Sequence, residues 1–244
     1  SVVTQVGSTL RGIEDDEDES NAVQKRAAYS LGQYGASCSG DELATLVDHI
    51  CGEQSVSRMI TLNALLQRAF ANLQGAGLFA RCVQEIKKNG KSKESDIKVK
   101  VAEACGTVLL QEAAEALEGG EGAGGDLPSL SQVLPCLVSL LDPKGNNSSE
   151  VLMTAAASLA SVATKDCKLL APVISGLLSV ICNLLGQVSS GPTKVAVEDL
   201  LGACLGIKAG AEDAFAYFNT LEVDAAVKKQ VSLSLLKKVG ARSA

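Results

Sequence analysis

A ten-residue pattern of small and aliphatic residues recurs along this chain of 244 residues. Four copies end in glycine or alanine: VQKRAAYSLG (23–32), IKVKVAEACG (97–106), VLMTAAASLA (151–160) and TKVAVEDLLG (193–202). Two looser copies lack that last residue, VSRMITLNAL (56–65) and VKKQVSLSLL (227–236). Successive copies end 33 to 54 residues apart, a spacing typical of stacked helical hairpins. The pattern therefore predicts an array of helix pairs.

The composition agrees with closely packed helices. Hydrophobic residues make up 46% of the chain, aromatic residues only 3%, and tryptophan is absent, so the core must be built from Leu, Val, Ala, Ile and Cys. A compact helical bundle has the same composition, but the repeat spacing favours an array. No segment alternates apolar and polar residues with a period of 2, so we predict an all-α fold without a sheet. The sixth position of three clear copies holds a small residue that lets helices approach, Ala28, Ala102 and Ala156, and the fourth clear copy has Val197 at its fifth position.

Turn and capping residues divide the chain into five helix pairs followed by a last helix. The predicted pairs are 21–36 with 40–51, 55–73 with 76–88, 96–117 with 127–141, 149–164 with 168–188, and 193–208 with 211–220. A further helix is predicted at each end, over 2–12 and 223–239. The acidic run 14–19 and the glycine-rich segment 118–126 are predicted to be loops, the second of them flexible.

The repeated run resembles the HEAT and armadillo families, in which the first helix of each unit carries a V-R/K-x-A-A-x-A-L-G-like sequence. The best match is VQKRAAYSLG, with Val23, Arg26, Ala27, Ala28, Leu31 and Gly32. The resemblance implies an α-solenoid over residues 1–244, a right-handed superhelix of about five HEAT-like or armadillo-like hairpins and a single domain. It also implies that the second helix of each unit lines the inner face, where proteins bind. The Asp and Arg ladder of the most regular HEAT units is missing here, and the chain is compatible with a piece of a longer solenoid.

The net charge of −6 and the isoelectric point near 5.0 disfavour nucleic acid as the main ligand. A local basic group leaves phosphate contact open as an alternative to a solvated surface, and it comprises Lys87, Lys88, Lys91, Lys93, Lys98 and Lys100. The longest apolar run, 169–186, contains Pro172 and Gly176 and has charged neighbours. We therefore interpret it as a buried inner helix and predict no membrane span.

Eight cysteines occur without any CxxC pair, and one histidine is too few to complete a zinc site with them. Most of the cysteines stand where a small apolar residue fits, which predicts reduced thiols and a reducing, cytoplasmic compartment, with a nucleocytoplasmic protein as the alternative. His49 is interpreted as a residue on a helix flank, the alternative being a catalytic pair with Cys51 or another cysteine. No GxxxxGK[ST] phosphate loop is present. We predict no metal, no cofactor and no enzyme activity.

The remaining hypothesis is a non-enzymatic scaffold or adaptor that binds a protein. Contacts are expected on second helices, around 41–49, 80–85 and 129–132. The acidic run is either a docking surface for a basic peptide or segment of the partner, or a solvated loop. The alternative function is a structural subunit of a large multiprotein assembly. The candidate partner-binding residues are Glu14, Asp15, Asp16, Glu17, Asp18, Glu19, Asp41, Glu42 and Asp48.

Overall fold

A computed structural model of the chain describes residues 20–52, 54–118, 127–142, 145–188, 190–206 and 211–242. These residues form twelve α-helices and one 3-10 helix, and no β-strand occurs among them. The prediction of an all-α fold is therefore confirmed. The predicted helix 2–12, the acidic run 14–19 and the glycine-rich residues 119–126 lie outside the described residues.

The helices have the following bounds in chain order. The first six are α1 (Ser20–Ser37), α2 (Gly40–Ile50), α3 (Val56–Arg68), α4 (Phe70–Gly75), α5 (Phe79–Asn89) and α6 (Ser95–Glu118). The remaining helices are α7 (Leu130–Leu141), α8 (Ser149–Lys165), the 3-10 helix (Cys167–Val173), α9 (Ile174–Gln187), α10 (Pro192–Cys204), α11 (Ala211–Thr220) and α12 (Ala225–Arg242).

The helices pack in two sets. In the first set, α1, α3, α6, α8 and α10 each pack against the next. In the second set, α5, α7, α9 and α12 also each pack against the next, and α2 packs against α1 and α3. The two sets meet where α5 and α7 contact α6, and where α9 contacts α10. Their apolar faces enclose one hydrophobic core that runs from Leu31 to Val231.

Glycines allow the closest approaches within the first set. A Cβ atom built on Gly32 of α1 would lie 2.8 Å from the main-chain oxygen of Ala64 in α3. A Cβ atom built on Gly106 of α6 would lie 2.8 Å from both Cβ and Oγ of Ser158 in α8. The terminal glycines of two repeat copies are therefore positions where any side chain would push neighbouring helices apart. The aligned apolar residues of the clear copies are also buried, namely Ala28, Ala102, Ala156 and Val197.

Most predicted pairs agree with the helices, and several boundaries differ. The predicted helix 168–188 begins as the 3-10 helix, and its α-helical part starts only at Ile174, because proline disfavours the interior of an α-helix, where its ring would clash with the carbonyl group four residues earlier. The predicted helix 55–73 is divided at Ala69, whose φ of −120° and ψ of 23° interrupt the helix. The predicted end at 208 is too long, since α10 ends at Cys204.

Candidate functional site

The three stretches in which partner contacts were predicted lie on α2, α5 and α7, and each has one buried and one exposed side. On α2 the buried side is Leu43, Leu46, Val47 and Ile50. We call the exposed side of these three helices the second-helix face. Its residues are Asp41, Glu42, Thr45, Asp48 and His49 on α2, Ala80, Arg81, Gln84, Lys87 and Lys88 on α5, and Ser131, Gln132, Pro135 and Ser139 on α7.

Glu42 stabilises the start of α2 in addition to being exposed. Its Oε2 accepts hydrogen bonds from the backbone N–H of Ser39, at 3.1 Å, and from the Ser39 hydroxyl, at 2.9 Å. This is the glutamate half of a capping box, in which the side chain accepts a hydrogen bond from a backbone N–H that has no acceptor within the helix. The hydrogen bond from the Ser39 backbone lowers the pKa of Glu42. Glu42 is therefore a structural residue as well as a candidate contact.

Replacing Glu42 with alanine is expected to fray the first turn of α2 and lower the melting temperature at neutral pH. Because the folded-state pKa of Glu42 is lowered, this stabilisation is present above the ordinary glutamate pKa and is lost as the pH falls through the lowered value. Circular dichroism melts over a pH series would measure it. Glu118→Ala, at the exposed end of α6, is the control. If the difference in melting temperature between Glu42→Ala and the parent protein is the same in acid as at neutral pH, the prediction is wrong.

Asp48 pairs with Arg81, which joins α2 to α5 across 33 positions of sequence. The two side chains remain 57% and 48% exposed, so solvent screens the pair and its contribution to stability is at most about 1 kcal/mol. The pair fixes the relative positions of one negative and one positive group on the second-helix face. Of the three predicted acidic residues on α2, Glu42 and Asp48 thus bind within the chain. The six residues from Glu14 to Glu19 lie outside the described part.

The charge of the second-helix face changes from one helix to the next. Helix α2 presents Asp41 and Asp48, whereas α5 presents Arg81, Lys87 and Lys88. The ammonium group of Lys88 donates to the Gly52 carbonyl oxygen at 2.7 Å, which ties the end of α5 to the chain after α2. Helix α7 has no charged residue in its sequence LSQVLPCLVSLL. The face therefore runs from acidic through basic to uncharged.

Glu112 is a buried polar residue whose role the sequence did not reveal. It lies on α6, and its two carboxylate oxygens accept the backbone N–H of Ser129 at 3.1 and 3.0 Å. Ser129 is the residue before α7, and its own side chain makes no capping hydrogen bond. Burial raises the pKa of Glu112. The carboxylate from α6 thus positions the start of α7, and with it the uncharged end of the second-helix face.

His49 is exposed near the end of α2, as predicted for a residue on a helix flank. The nearby thiol of Cys51 is half-buried, and this burial raises its pKa to about 11. Cys51 is therefore protonated at neutral pH, whereas a nucleophilic cysteine reacts as the thiolate. Within the residues that the structure describes, no three His, Cys, Asp or Glu side chains form a group able to hold a metal ion.

The basic residues near the α5–α6 turn are partly engaged within the chain. Lys98 donates to Asn147 Oδ1 at 2.8 Å, and Lys100 pairs with Glu103 at 2.8 Å. Lys87, Lys91 and Lys93 are exposed. Some of the six lysines thus make contacts within the chain and the others face solvent, as expected for a solvated surface.

Two further features lie on α8, α9 and α10. A groove of about 500 Å³ opens between α6, α8 and α10, with Ser161, Thr164, Lys165 and Asp199 among its lining residues.

The segment Cys167–Gln187 is long and apolar enough, by composition, to cross a membrane, with a mean hydropathy of 2.1, and 44% of it is buried inside the protein. Its buried residues, including Leu177 and Ile181, belong to the common core.

Comparisons of the chain with protein-family models, with curated proteins and with solved structures found no match.

Proposed function

We propose that the chain is an α-solenoid of HEAT-like or armadillo-like hairpins. The order of packing supports this proposal, because α1, α3, α6, α8 and α10 each contact the next member of their row. The second helices α5, α7 and α9 follow in the same order on the other side of the core. In a solenoid each pair covers the apolar side of its neighbour, so contacts between consecutive units dominate.

The proposed function is a non-enzymatic scaffold or adaptor that binds another protein through the second-helix face. The observation that carries it is the ordered change of charge along this face, from Asp41 and Asp48 to Arg81 and Lys87 and then to the uncharged α7. Interfaces use such complementary charge to set the orientation of a partner and to speed its association. The partner is expected to be a segment with basic residues opposite α2 and acidic residues opposite α5.

A charge swap tests the orientation of this partner. In the double variant Asp48→Arg, Arg81→Asp the ion pair is kept while the charge difference between α2 and α5 is reduced, since Asp41 and Glu42 remain on α2 and Lys87 and Lys88 on α5. We expect the parent protein to bind peptides with a basic first half and an acidic second half more tightly than peptides of reversed order, and the swap variant to lose affinity for the first kind of peptide. The expected change is at least about tenfold in Kd, or about 1.4 kcal/mol. Fluorescence anisotropy with both labelled peptides would measure it.

Glu118→Lys on α6, which belongs to the other row, is the matched control and should leave both affinities unchanged. Equal binding of both peptides to the parent protein and the swap variant would overturn the proposed face. The alternative function, a structural subunit of a large assembly, predicts a different result. In that case the chain would recover a stable set of partners on co-purification from its source, and both variants would do so equally.

The remaining parts of the proposal concern compartment and ligand class. We infer a cytoplasmic protein without cofactor, whose main ligand is neither nucleic acid nor membrane. The net charge of −6 supports the exclusion of nucleic acid. Leu177, Leu178 and Ile181 belong to the common core, which supports an inner helix at Cys167–Gln187 and not a membrane span.

A further inference from the structure

Two cysteines of the third helix pair meet in space although they are 31 positions apart. Cys105 lies on α6 and Cys136 on α7, two helices that pack against each other. Both thiols are free, and a hydrogen bond joins them. Cys105 is fully buried, whereas Cys136 is partly exposed. One cysteine of the pair is thus partly exposed to solvent, and the other is buried beside it.

The turn after α5 holds Cys136 in this position. A Cβ atom built on Gly90 would lie 2.4 Å from Cys136 Sγ, so the sulfur packs directly against the glycine main chain. Any larger residue at position 90 would displace the sulfur. Gly90 has an ordinary helical φ of −59°, so the backbone conformation does not require glycine there. The close approach of the Cys136 sulfur is the feature that requires it.

Cys136 also differs electrostatically from the other cysteines. The hydrogen bond from Cys105 lowers the pKa of Cys136, burial opposes this effect, and the charge of Lys87 adds to the lowering. The pKa of Cys105 is raised, first by that same hydrogen bond and then by burial. The pKa values of the other six thiols, Cys38, Cys51, Cys82, Cys167, Cys182 and Cys204, are raised as well. A partly exposed thiol of lowered pKa next to a second thiol is the arrangement that reacts with oxidants.

We propose that Cys105 and Cys136 form a reversible disulfide in response to hydroperoxides, with Cys136 as the reacting thiol and Cys105 as the resolving thiol. The Cys136 thiolate attacks one oxygen of hydrogen peroxide, the O–O bond breaks, and a sulfenic acid and hydroxide are formed. Cys105 then loses its proton and its sulfur attacks the Cys136 sulfur. The S–S bond forms, and the sulfenic hydroxyl leaves as water with that proton. The two thiols are oxidised by two electrons and the peroxide is reduced, and a dithiol reverses the change.

The disulfide would join α6 to α7 and close the loop between residues 105 and 136. This loop contains Ser129, which Glu112 already holds at the start of α7. The bond would therefore reduce the mobility of α7 relative to the first row of helices. The inference does not depend on the proposed partner face, because it concerns the chemistry of the two thiols alone.

The test treats the purified chain with hydrogen peroxide, blocks the remaining thiols rapidly, and maps the peptides by mass spectrometry. We expect a peptide pair joined through Cys105 and Cys136 to appear first. We also expect Cys136 to be oxidised at least about tenfold faster than Cys38, which is also partly exposed but has a raised pKa. In Cys105→Ser, dimedone should trap a sulfenic acid at Cys136. A dithiol should regenerate both thiols in the parent protein.

Two variants keep both cysteines, so that the rate of disulfide formation can be compared directly with that of the parent protein. Lys87→Gln is expected to slow the oxidation about two- to fivefold because it removes the nearby positive charge, and Lys93→Gln is the exposed control. Gly90→Ala is expected to slow disulfide formation because it displaces the Cys136 sulfur. First oxidation at any other cysteine of the folded parent protein would overturn the proposal. So would a disulfide rate that is the same in Lys87→Gln, Gly90→Ala and the parent protein.

Discussion

Replacing Gly106 with alanine is expected to destabilise the folded chain by about 1–3 kcal/mol, although alanine is the better helix former. Gly106 lies within the long helix α6, where the substitution would by itself stabilise the helix by about 1 kcal/mol. The new Cβ would, however, lie 2.8 Å from Cβ and Oγ of Ser158 and 3.3 Å from its Cα. Helices α6 and α8 would have to separate by several tenths of an ångström.

The separation would also weaken a hydrogen bond. The Ser158 hydroxyl donates to the Ala102 carbonyl oxygen at 2.9 Å, one helical turn before Gly106. Losing this bond adds about 1 kcal/mol to the cost of overpacking. Because α8 continues the row from α6 to α10, the displacement would act on the centre of the row and not on a free end.

Gly176 provides the matched control, since it also lies within a helix, α9, but a Cβ atom built on it has no neighbour within 4 Å. Gly176→Ala is expected to stabilise the chain by about 0.5–1 kcal/mol. The same substitution should thus have opposite signs at the two positions. Urea unfolding followed by circular dichroism measures both free energies. If Gly106→Ala also stabilises the chain, α6 and α8 do not pack as closely as described.

Much of the helix pattern could be predicted from the sequence because its signals are local. The run Ser39-Gly40-Asp41-Glu42 predicts the start of α2, and the apolar period of 151–160 places α8. Pro172 was a signal that an α-helix would not run through this point, but the apolar run around it favoured one continuous helix. The break at Ala69 carried no such signal.

The contacts that build the candidate site could not be predicted, because helical periodicity indicates which side of a helix is buried and not what it meets. Asp48 and Arg81 are 33 positions apart, and either residue alone is typical of a solvated helix surface. Cys105 and Cys136 each fit the pattern of a small core residue. The one available signal was Glu112, a carboxylate on the mostly apolar buried side of α6, which indicates a buried partner without identifying Ser129.

Replacing Glu112 with alanine is expected to lower the free energy of unfolding by about 2–3 kcal/mol. Glu112 is 4% exposed and Ser129 is 2% exposed, so water cannot replace the lost carboxylate. The Ser129 N–H would remain buried without an acceptor, which costs about 1–3 kcal/mol. The removed methylene and carboxyl groups also leave a cavity between α6 and α7, which adds to the loss.

The same carboxylate should produce a measurable pH dependence. Burial, the largest cause, raises the pKa of Glu112, and the charge of Glu115 raises it further. Between the ordinary glutamate pKa, about 4.3, and the raised folded-state value, the folded chain binds more protons than the unfolded chain. The contribution of Glu112 to stability therefore falls as the pH rises through that interval, and it is most favourable on its acidic side.

Glu112→Gln separates the hydrogen bond from the charge, because the amide oxygen still accepts from Ser129 while the group no longer titrates. We expect this variant to remain within about 1 kcal/mol of the parent protein at neutral pH and to lose the pH dependence due to residue 112. Urea unfolding at a series of pH values would test it, with Glu118→Gln at the exposed end of α6 as the control. If Glu112→Ala costs less than about 0.5 kcal/mol, a typical exposed substitution, the carboxylate does not hold the start of α7.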